Sequence, residues 1–155
     1  MIKTYKGTSS GRGKKIAIVV SKFNEFITQR LLKGCLAELK RCGVTEKNVS
    51  IVWVPGSYEI PLMALKLAEK KNVDYIICLG AVIRGETLHF ELVAWGTAYG
   101  IAKAALLSGR PVIFGVLAVD TVQQAYKRSQ ENASNKGKDA AAAALEMVDL
   151  MRDVG

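Results

Sequence analysis

The sequence predicts an α/β fold in which helices cover both faces of a four-stranded parallel sheet. Four short runs of residues are almost continuously hydrophobic, which is typical of strands buried on both faces of a parallel sheet. Segments with helical periodicity separate these runs, and this alternation indicates right-handed β-α-β units. Half of the 155 residues are hydrophobic, so we expect one domain over residues 1–155 with an N-terminal arm at residues 1–14.

The hydrophobic runs place the strands at residues 15–20 (KIAIVV), 49–54 (VSIVWV), 75–79 (YIICL) and 111–119 (PVIFGVLAV). The helices are expected at residues 25–42, 61–71, 89–107, 121–132 and 139–151. Gly43 suits the end of the first helix, Pro61 the first turn of the second, and Gly109 the end of the third. Asp120 or Thr121 is expected to cap the fourth helix, and a run of alanines favours the fifth. Together these elements predict a three-layer α/β/α sandwich of the flavodoxin-like type.

Residues 2–5 form a short candidate edge strand without an evident partner in their own chain, so we expect them to pair with a neighbouring subunit. The first 15 residues are polar, glycine-rich and basic, and they lack the hydrophobic stretch of a signal peptide. No apolar run approaches the ~20 residues of a membrane span. We therefore expect a cytoplasmic protein that does not contact a membrane.

Three cysteines and a formal net charge of +8 narrow the function classes. An odd number of cysteines without CxxC spacing predicts neither a disulfide framework nor a zinc site. The basic residues are scattered apart from a cluster at residues 12–15, and they do not alternate with aromatic residues as in a nucleic-acid-binding surface. An anionic small substrate therefore explains the charge better than nucleic acid does.

Side chains suited to ligand binding follow the predicted strands at their carboxyl ends, where open parallel sheets bind ligands. They are Phe23 after the first strand, Ser57, Tyr58 and Glu59 after the second, and the stretch at residues 80–89 after the third. Within that stretch, Gly85-Glu86-Thr87 is expected to open a helix whose free N–H groups bind an anion. His89 is suited to proton transfer at neutral pH, and Arg128 to phosphate. Taken singly, each of these residues is better explained as a helix cap, a core aromatic or a solvated surface group.

Together and in this order, these residues resemble the lumazine synthase family. The resemblance rests on Phe23-Asn24, VPGSYEIP at 54–61, GAVIRGETLHF at 80–90, Phe114-Gly115 and Asn135-Lys136-Gly137. It covers about residues 15–151, and its two long segments are highly specific. The family joins 5-amino-6-(D-ribitylamino)uracil to 3,4-dihydroxy-2-butanone 4-phosphate, with neither cofactor nor metal. The resemblance therefore implies a transferase of riboflavin biosynthesis that works by proximity, proton transfer and phosphate binding.

The resemblance also implies roles for individual residues. Those that would hold the pyrimidine and the ribityl chain are Phe23, Ser57, Tyr58, Glu59 and, through backbone groups, Ala81, Val82 and Ile83. Glu86 and Thr87 would offer N–H groups to the phosphate, Arg128 would close on it, and His89 would transfer the proton. Phe114 would reach the pyrimidine from the next subunit, because the family's sites lie between the subunits of a pentamer. In some members, pentamers assemble further into a hollow shell.

Three positions around the end of the predicted fourth helix depart from the family pattern. The family's lysine falls on Asn132, and the glycines that precede Asn135 fall on Gln130 and Ser134. Non-glycine residues resist the left-handed conformations that a kink uses. We therefore expect the fourth helix to be longer or differently aimed, which favours a pentamer over the shell.

Two further departures, Trp95 and Tyr99, lie on the predicted third helix, where small or polar residues are commoner in the family. They leave open an alternative function: a self-assembling scaffold of weak or no activity, natural or engineered, whose remodelled outer surface binds a further protein. A generic flavodoxin-like binding module is a third possibility, and the two long motifs argue against it.

Overall fold

The computed structural model describes residues 1–132 and 134–155. Its sheet has four parallel strands in the order β2-β1-β3-β4. The strands are β1 (Ile16–Ser21), β2 (Val49–Val54), β3 (Tyr75–Ile83) and β4 (Val112–Val119). The two central strands, β1 and β3, are buried almost throughout, and the carboxyl ends of all four strands lie at the same edge of the sheet.

In the described residues, five α-helices cover the sheet: α1 (Glu25–Arg41), α2 (Ile60–Ala68), α3 (His89–Ser108), α4 (Val122–Lys127) and α5 (Lys136–Val154). Alternate residues of β1 point into two separate cores. Ile16 and Ile18 contribute to the core that includes α1 and α5, whereas Ala17 and Val19 contribute to the core that includes α2 and α3. This arrangement confirms the expected three-layer, flavodoxin-like α/β/α sandwich.

Strand β3 is longer than expected. It continues beyond Leu79 to Ile83 because its last residues pair with β4, and the final pair joins Ile83 to Val119. Ala81, Val82 and Ile83 therefore belong to the strand itself and not to the loop that follows it.

Helix α4 is shorter than expected, so the prediction of a helix over residues 121–132 is wrong. The helix ends at Lys127, and the Ser129 hydroxyl donates to the Ala125 carbonyl at 2.9 Å. The Asn135 side chain then donates to the carbonyls of Ser129 and Arg30 at 3.1 and 3.2 Å and accepts from the Lys138 N–H at 3.1 Å, which caps α5. The turn before α5 is thus tied to α1, and α4 is not lengthened. Residue 133 of this turn lies outside the described residues.

The N-terminal arm has no regular structure over residues 1–10. Residues 2–5 form no strand in the single chain, and Ile2 is 94% exposed. The arm is held to its own subunit further along, where the Thr8 hydroxyl donates to the buried Asp149 carboxylate and the Gly11 N–H donates to the Cys42 carbonyl at 2.9 Å. Within residues 1–132 and 134–155, no helix combines the length and the apolar character needed to cross a membrane.

Candidate active site

A cavity of about 450 Å³ opens at the carboxyl ends of β1, β2 and β3, between the turn after β2 and the start of α3. We call it the main cavity. Nine of the twelve site residues predicted from the sequence line it: Phe23, Ser57, Tyr58, Glu59, Ala81, Val82, Ile83, Thr87 and His89. The topology brings them together because these residues follow, or end, strands that lie side by side in the sheet.

The turn after β1 presents Phe23 to the main cavity. Asn24 adopts the left-handed conformation (φ 59°), and its side-chain amide donates to the Ala81 carbonyl at 2.8 Å. The Phe23 N–H donates to the Pro55 carbonyl at 3.0 Å. These bonds fix the backbone on both sides of a ring that is 71% exposed. An exposed aromatic ring on the wall of a cavity is suited to stacking on a planar ligand.

The turn after β2 is a single 3₁₀ turn, Ser57–Glu59, that leads directly into α2. Ser57 is buried against β3, where Gly80 leaves room for its hydroxyl, whereas Glu59 is exposed at the cavity. The Tyr58 ring packs on α3 at Gly96, where a β-carbon would lie only 2.6 Å from the ring. The small residues of β3 and α3 thus set the positions of the side chains of this turn.

The loop before α3 differs in detail from the expected helix start. The first helical residue is His89, and residues 85–88 form a loop in which the Thr87 hydroxyl accepts from the His89 N–H at 3.3 Å. Within the described chain, no acceptor takes the N–H groups of Glu86 and Thr87. These groups and the positive end of the α3 dipole make the loop a favourable place for an anion. The Glu86 side chain is exposed and does not line the main cavity.

Arg84 was not singled out from the sequence, and the structure gives it a bracing position. Its Nε donates to the Asp120 carboxylate at 2.7 Å and its NH1 to the Glu91 carboxylate at 3.1 Å, while the guanidinium lies 4.4 Å from the centroid of the Phe90 ring. The hydrogen bond to Asp120, followed by the one to Glu91, raises the pKa of Arg84 above its usual value. Asp120 is therefore not the cap of α4; that cap is Thr121, whose hydroxyl accepts from the Gln124 N–H at 3.1 Å.

Phe114 and Arg128 do not line the main cavity. They lie in a second cavity of about 440 Å³ along β4, which we call the edge cavity because β4 is an edge strand of the sheet. Phe114 is 48% exposed there, and the Arg128 guanidinium donates to the Gln124 carbonyl at 3.1 Å. One chain therefore does not bring Phe114 and Arg128 together with His89.

The edge cavity contains a second cation, Lys136, that the sequence analysis did not select. Lys136 is the first residue of α5, and its ammonium group forms an ion pair with Asp139 at 3.2 Å. Lys136 belongs to the segment Asn135-Lys136-Gly137, which supported the resemblance to the family. No residue of that segment was assigned a role from the sequence. The edge cavity thus offers an aromatic ring and two cations along β4, at the edge of the sheet.

A comparison with protein-family models agrees with this geometry. Residues 13–152 match the model of 6,7-dimethyl-8-ribityllumazine synthase. The match covers both cavities and every predicted site residue.

Proposed function

Because the chain belongs to the 6,7-dimethyl-8-ribityllumazine synthase family, a family of transferase-type enzymes in riboflavin biosynthesis, we propose that it condenses 5-amino-6-(D-ribitylamino)uracil with 3,4-dihydroxy-2-butanone 4-phosphate. The products are 6,7-dimethyl-8-ribityllumazine, inorganic phosphate and water. The observation that carries the proposal is the main cavity, which joins an exposed aromatic ring, a histidine and an anion-binding loop in one space.

The pyrimidine and its ribityl chain would occupy the part of the main cavity near β1 and β2. Phe23 would stack on the planar pyrimidine, and the backbone at the end of β3 would contact the edge of the ring. The exposed Glu59 carboxylate accepts hydrogen bonds only, so it suits the hydroxyl groups of the ribityl chain. Ser57 and Tyr58 would complete the contacts on the same side.

The butanone phosphate would occupy the part near α3. Its phosphate would accept hydrogen bonds from the N–H groups of Glu86 and Thr87. The substrate amine attacks the ketone, an imine forms with loss of one water, phosphate leaves, and closure of the second ring releases another water. His89 lies at the start of α3, next to this loop, and would shuttle protons between the amine and the departing oxygen atoms. Residues of this chain therefore supply positioning and proton transfer, and the reaction requires no electron transfer.

We propose further that each active site is shared between two subunits of a homopentamer. The main cavity has no cationic side chain among its lining residues within the described chain, whereas Arg128 and Lys136 line the edge cavity together with Phe114. Apposition of the edge cavity of one subunit to the main cavity of the next would bring a guanidinium to the phosphate and a second aromatic ring to the pyrimidine.

An apolar stripe on α3 supports self-association. It consists of Leu92, Trp95, Tyr99, Ala102 and Leu106, all of them exposed in the single chain. Their alternating spacing of three and four residues is that of a coiled-coil seam. Exposed apolar stripes of this length mark interfaces in soluble proteins, and α3 helices of adjacent subunits are the simplest partners for it.

A specific observation also supports the alternative function, a self-assembling scaffold of low activity. Asn132 replaces the family's lysine, and its side chain is engaged locally, where its Nδ2 donates to Gln130 and its Oδ1 accepts from Ser134 at 2.8 Å. It lines a groove with Lys33 and Glu131 that shares no lining residue with the edge cavity. One cation of the family pattern is thereby removed.

One assay separates the two functions. The purified chain is incubated with both substrates, and the lumazine product is followed by its absorbance while native mass spectrometry gives the size of the assembly. Product formation at a rate well above the spontaneous reaction supports the synthase, and an Arg128→Ala variant that loses far more activity than the matched Lys127→Ala variant would tie it to the edge cavity. An assembled protein without activity would instead support the scaffold.

A further inference from the structure

Ser21, the last residue of β1, has a hydroxyl group that the proposed function does not use. The residue is fully buried (0% exposed), and its Oγ has no hydrogen-bond partner in the described chain. The Ser21 carbonyl, in contrast, accepts from the Thr28 hydroxyl at 2.7 Å. Buried polar groups of native proteins are almost always hydrogen-bonded, so an unpartnered hydroxyl beside a ligand cavity calls for a functional explanation.

The Ser21 hydroxyl faces the same space as the Ser57 hydroxyl. A β-carbon placed on Gly80 would lie 2.6 Å from the Ser57 Oγ and 3.3 Å from the Ser21 Oγ. Glycine at this position of β3 therefore leaves a hollow that both hydroxyls border. A change of χ1 rotamer moves a serine oxygen by roughly 2 Å, so rotation into the hollow brings the two hydroxyls closer together.

Ser57 borders both this hollow and the main cavity. It is 5% exposed, it lines the cavity, and its hydroxyl lies beside Gly80 together with that of Ser21. A serine hydroxyl donates one hydrogen bond and accepts up to two. A group that donates to the Ser57 oxygen from the hollow at Gly80 therefore determines where the Ser57 proton points.

We propose that Ser21 is a positioning residue that donates its proton to the Ser57 Oγ and so directs the Ser57 proton into the main cavity. Ser57 then acts as a donor toward an acceptor oxygen of the pyrimidine substrate, and the chain of two hydroxyls strengthens that bond. This inference rests on the proposed function, because it assigns Ser21 to recognition of the ribitylaminouracil substrate. It adds a buried residue, remote from solvent, to the determinants of substrate affinity.

The test uses Ser21→Ala, Ser57→Ala and the double variant in the full-length protein, with steady-state kinetics and thermal unfolding measured for each. The Ser21→Ala variant is expected to raise the KM for the ribitylaminouracil roughly three- to tenfold, the equivalent of one lost hydrogen bond, while kcat changes little. Its melting temperature should not fall, because the change removes a buried hydroxyl that has no partner in the free protein. In the double variant the KM should equal that of Ser57→Ala alone, since Ser21 acts through Ser57.

A matched control comes from α3. The Thr97 hydroxyl is also fully buried and unpartnered in the described chain, but no contact places it at Gly80. Thr97→Val should therefore leave the KM unchanged. As a second perturbation, Gly80→Ala fills the hollow and forces the Ser57 oxygen to rotate away, so it should raise the KM as Ser21→Ala does.

Two results would overturn the inference alone: a Ser21→Ala variant with the KM of the unmodified chain, or effects of Ser21→Ala and Ser57→Ala that add in the double variant. An unmodified chain that forms no lumazine product would instead overturn the proposed function, and this outcome is seen before any variant is made.

Discussion

Two inactive variants of this protein should restore activity when they assemble together. His89 lines the main cavity and Arg128 lines the edge cavity, so one chain does not unite them. If each active site takes the main cavity of one subunit and the edge cavity of the next, a chain with His89→Ala still supplies Arg128 to its neighbour. A chain with Arg128→Ala likewise still supplies His89. Mixed oligomers of the two variants would then contain intact sites that neither parent has.

The expected recovery follows from the geometry of a closed ring. When equal amounts of the two variants assemble at random, about a quarter of the interfaces combine the intact main cavity of one variant with the intact edge cavity of the other. The remaining interfaces carry one or both substitutions. Co-assembled protein should therefore show about a quarter of the activity of the unmodified protein per site.

The assay is co-expression of the two variants with different affinity tags, tandem purification and measurement of lumazine formation. Native mass spectrometry confirms that the oligomers are mixed. As a control, unmodified chain is co-assembled with the double variant. If active sites are shared between subunits, about a quarter of them stay intact, whereas about half stay intact if each site lies within one chain. Mixed oligomers of the two single variants with no more activity than their parents would refute shared sites.

Three other predictions test the catalytic group, the packing and the charges. His89→Ala should lower kcat by roughly ten- to a thousandfold, the usual range for a lost proton-transfer group, with an unchanged circular dichroism spectrum; full kcat at neutral pH would show that His89 does not transfer a proton. Gly100→Ala should destabilise the fold by about 1–3 kcal/mol in urea unfolding, because the new methyl group would lie 2.6 Å from the rigid Pro61 ring; an unchanged midpoint would contradict this packing. The Arg41 guanidinium holds the pKa of Glu38 below its usual value. The ionised Glu38 therefore stabilises the folded protein above the unfolded pKa of about 4.3, and this contribution is lost as the pH falls through the lower folded pKa. Glu38→Gln should therefore lower the free energy of unfolding at pH 7 by about 1 kcal/mol and have little effect near pH 2. An equal effect at both pH values would show that the charge of Glu38 does not contribute to stability.

The sequence was informative wherever burial alone determines structure. All four hydrophobic runs are strands, because a strand buried on both faces of a parallel sheet tolerates few polar residues. The same signal failed at the end of β3. Gly80 has the appearance of a turn residue, yet it continues the strand since its missing side chain makes room for Ser57. Close approach of two segments is a tertiary property that local pattern does not contain.

The error at α4 has a similar cause. Residues 128–132 are polar and without proline, so nothing local stops a helix there, and the end of α4 is set by a side chain further along the sequence. Asn135 binds the Ser129 carbonyl on one side and the Arg30 carbonyl of α1 on the other. Asn135 belonged to the recognised motif, but the contact with α1 that explains it requires the three-dimensional arrangement.

The distribution of the predicted site residues over two cavities also depends on tertiary information. Phe114 and Ile113 are adjacent in a hydrophobic run, and the run does not reveal that β4 is an edge strand. The position of Phe114 on an open edge, together with Arg128 and Lys136, follows only from the strand order. The motifs therefore identified most of the residues that line the main cavity, and the topology determines on which surface of the subunit each predicted residue lies.

Arg84 connects the start of α3 to the end of β4, a link that an active site shared between subunits would need. It joins Glu91 at the start of α3, the helix of His89, to Asp120 at the end of β4, immediately before the short helix that leads to Arg128. Both ion pairs are about half exposed, so they contribute little to stability, and a stabilising role does not account for them. Their effect is on geometry, because two carboxylates that bind one planar guanidinium restrain the start of α3 relative to the end of β4. In a closed ring every subunit contributes both cavities, and an angular error between them would be repeated at every interface. A rigid connection between the two cavities is therefore the property that a site shared between identical subunits requires.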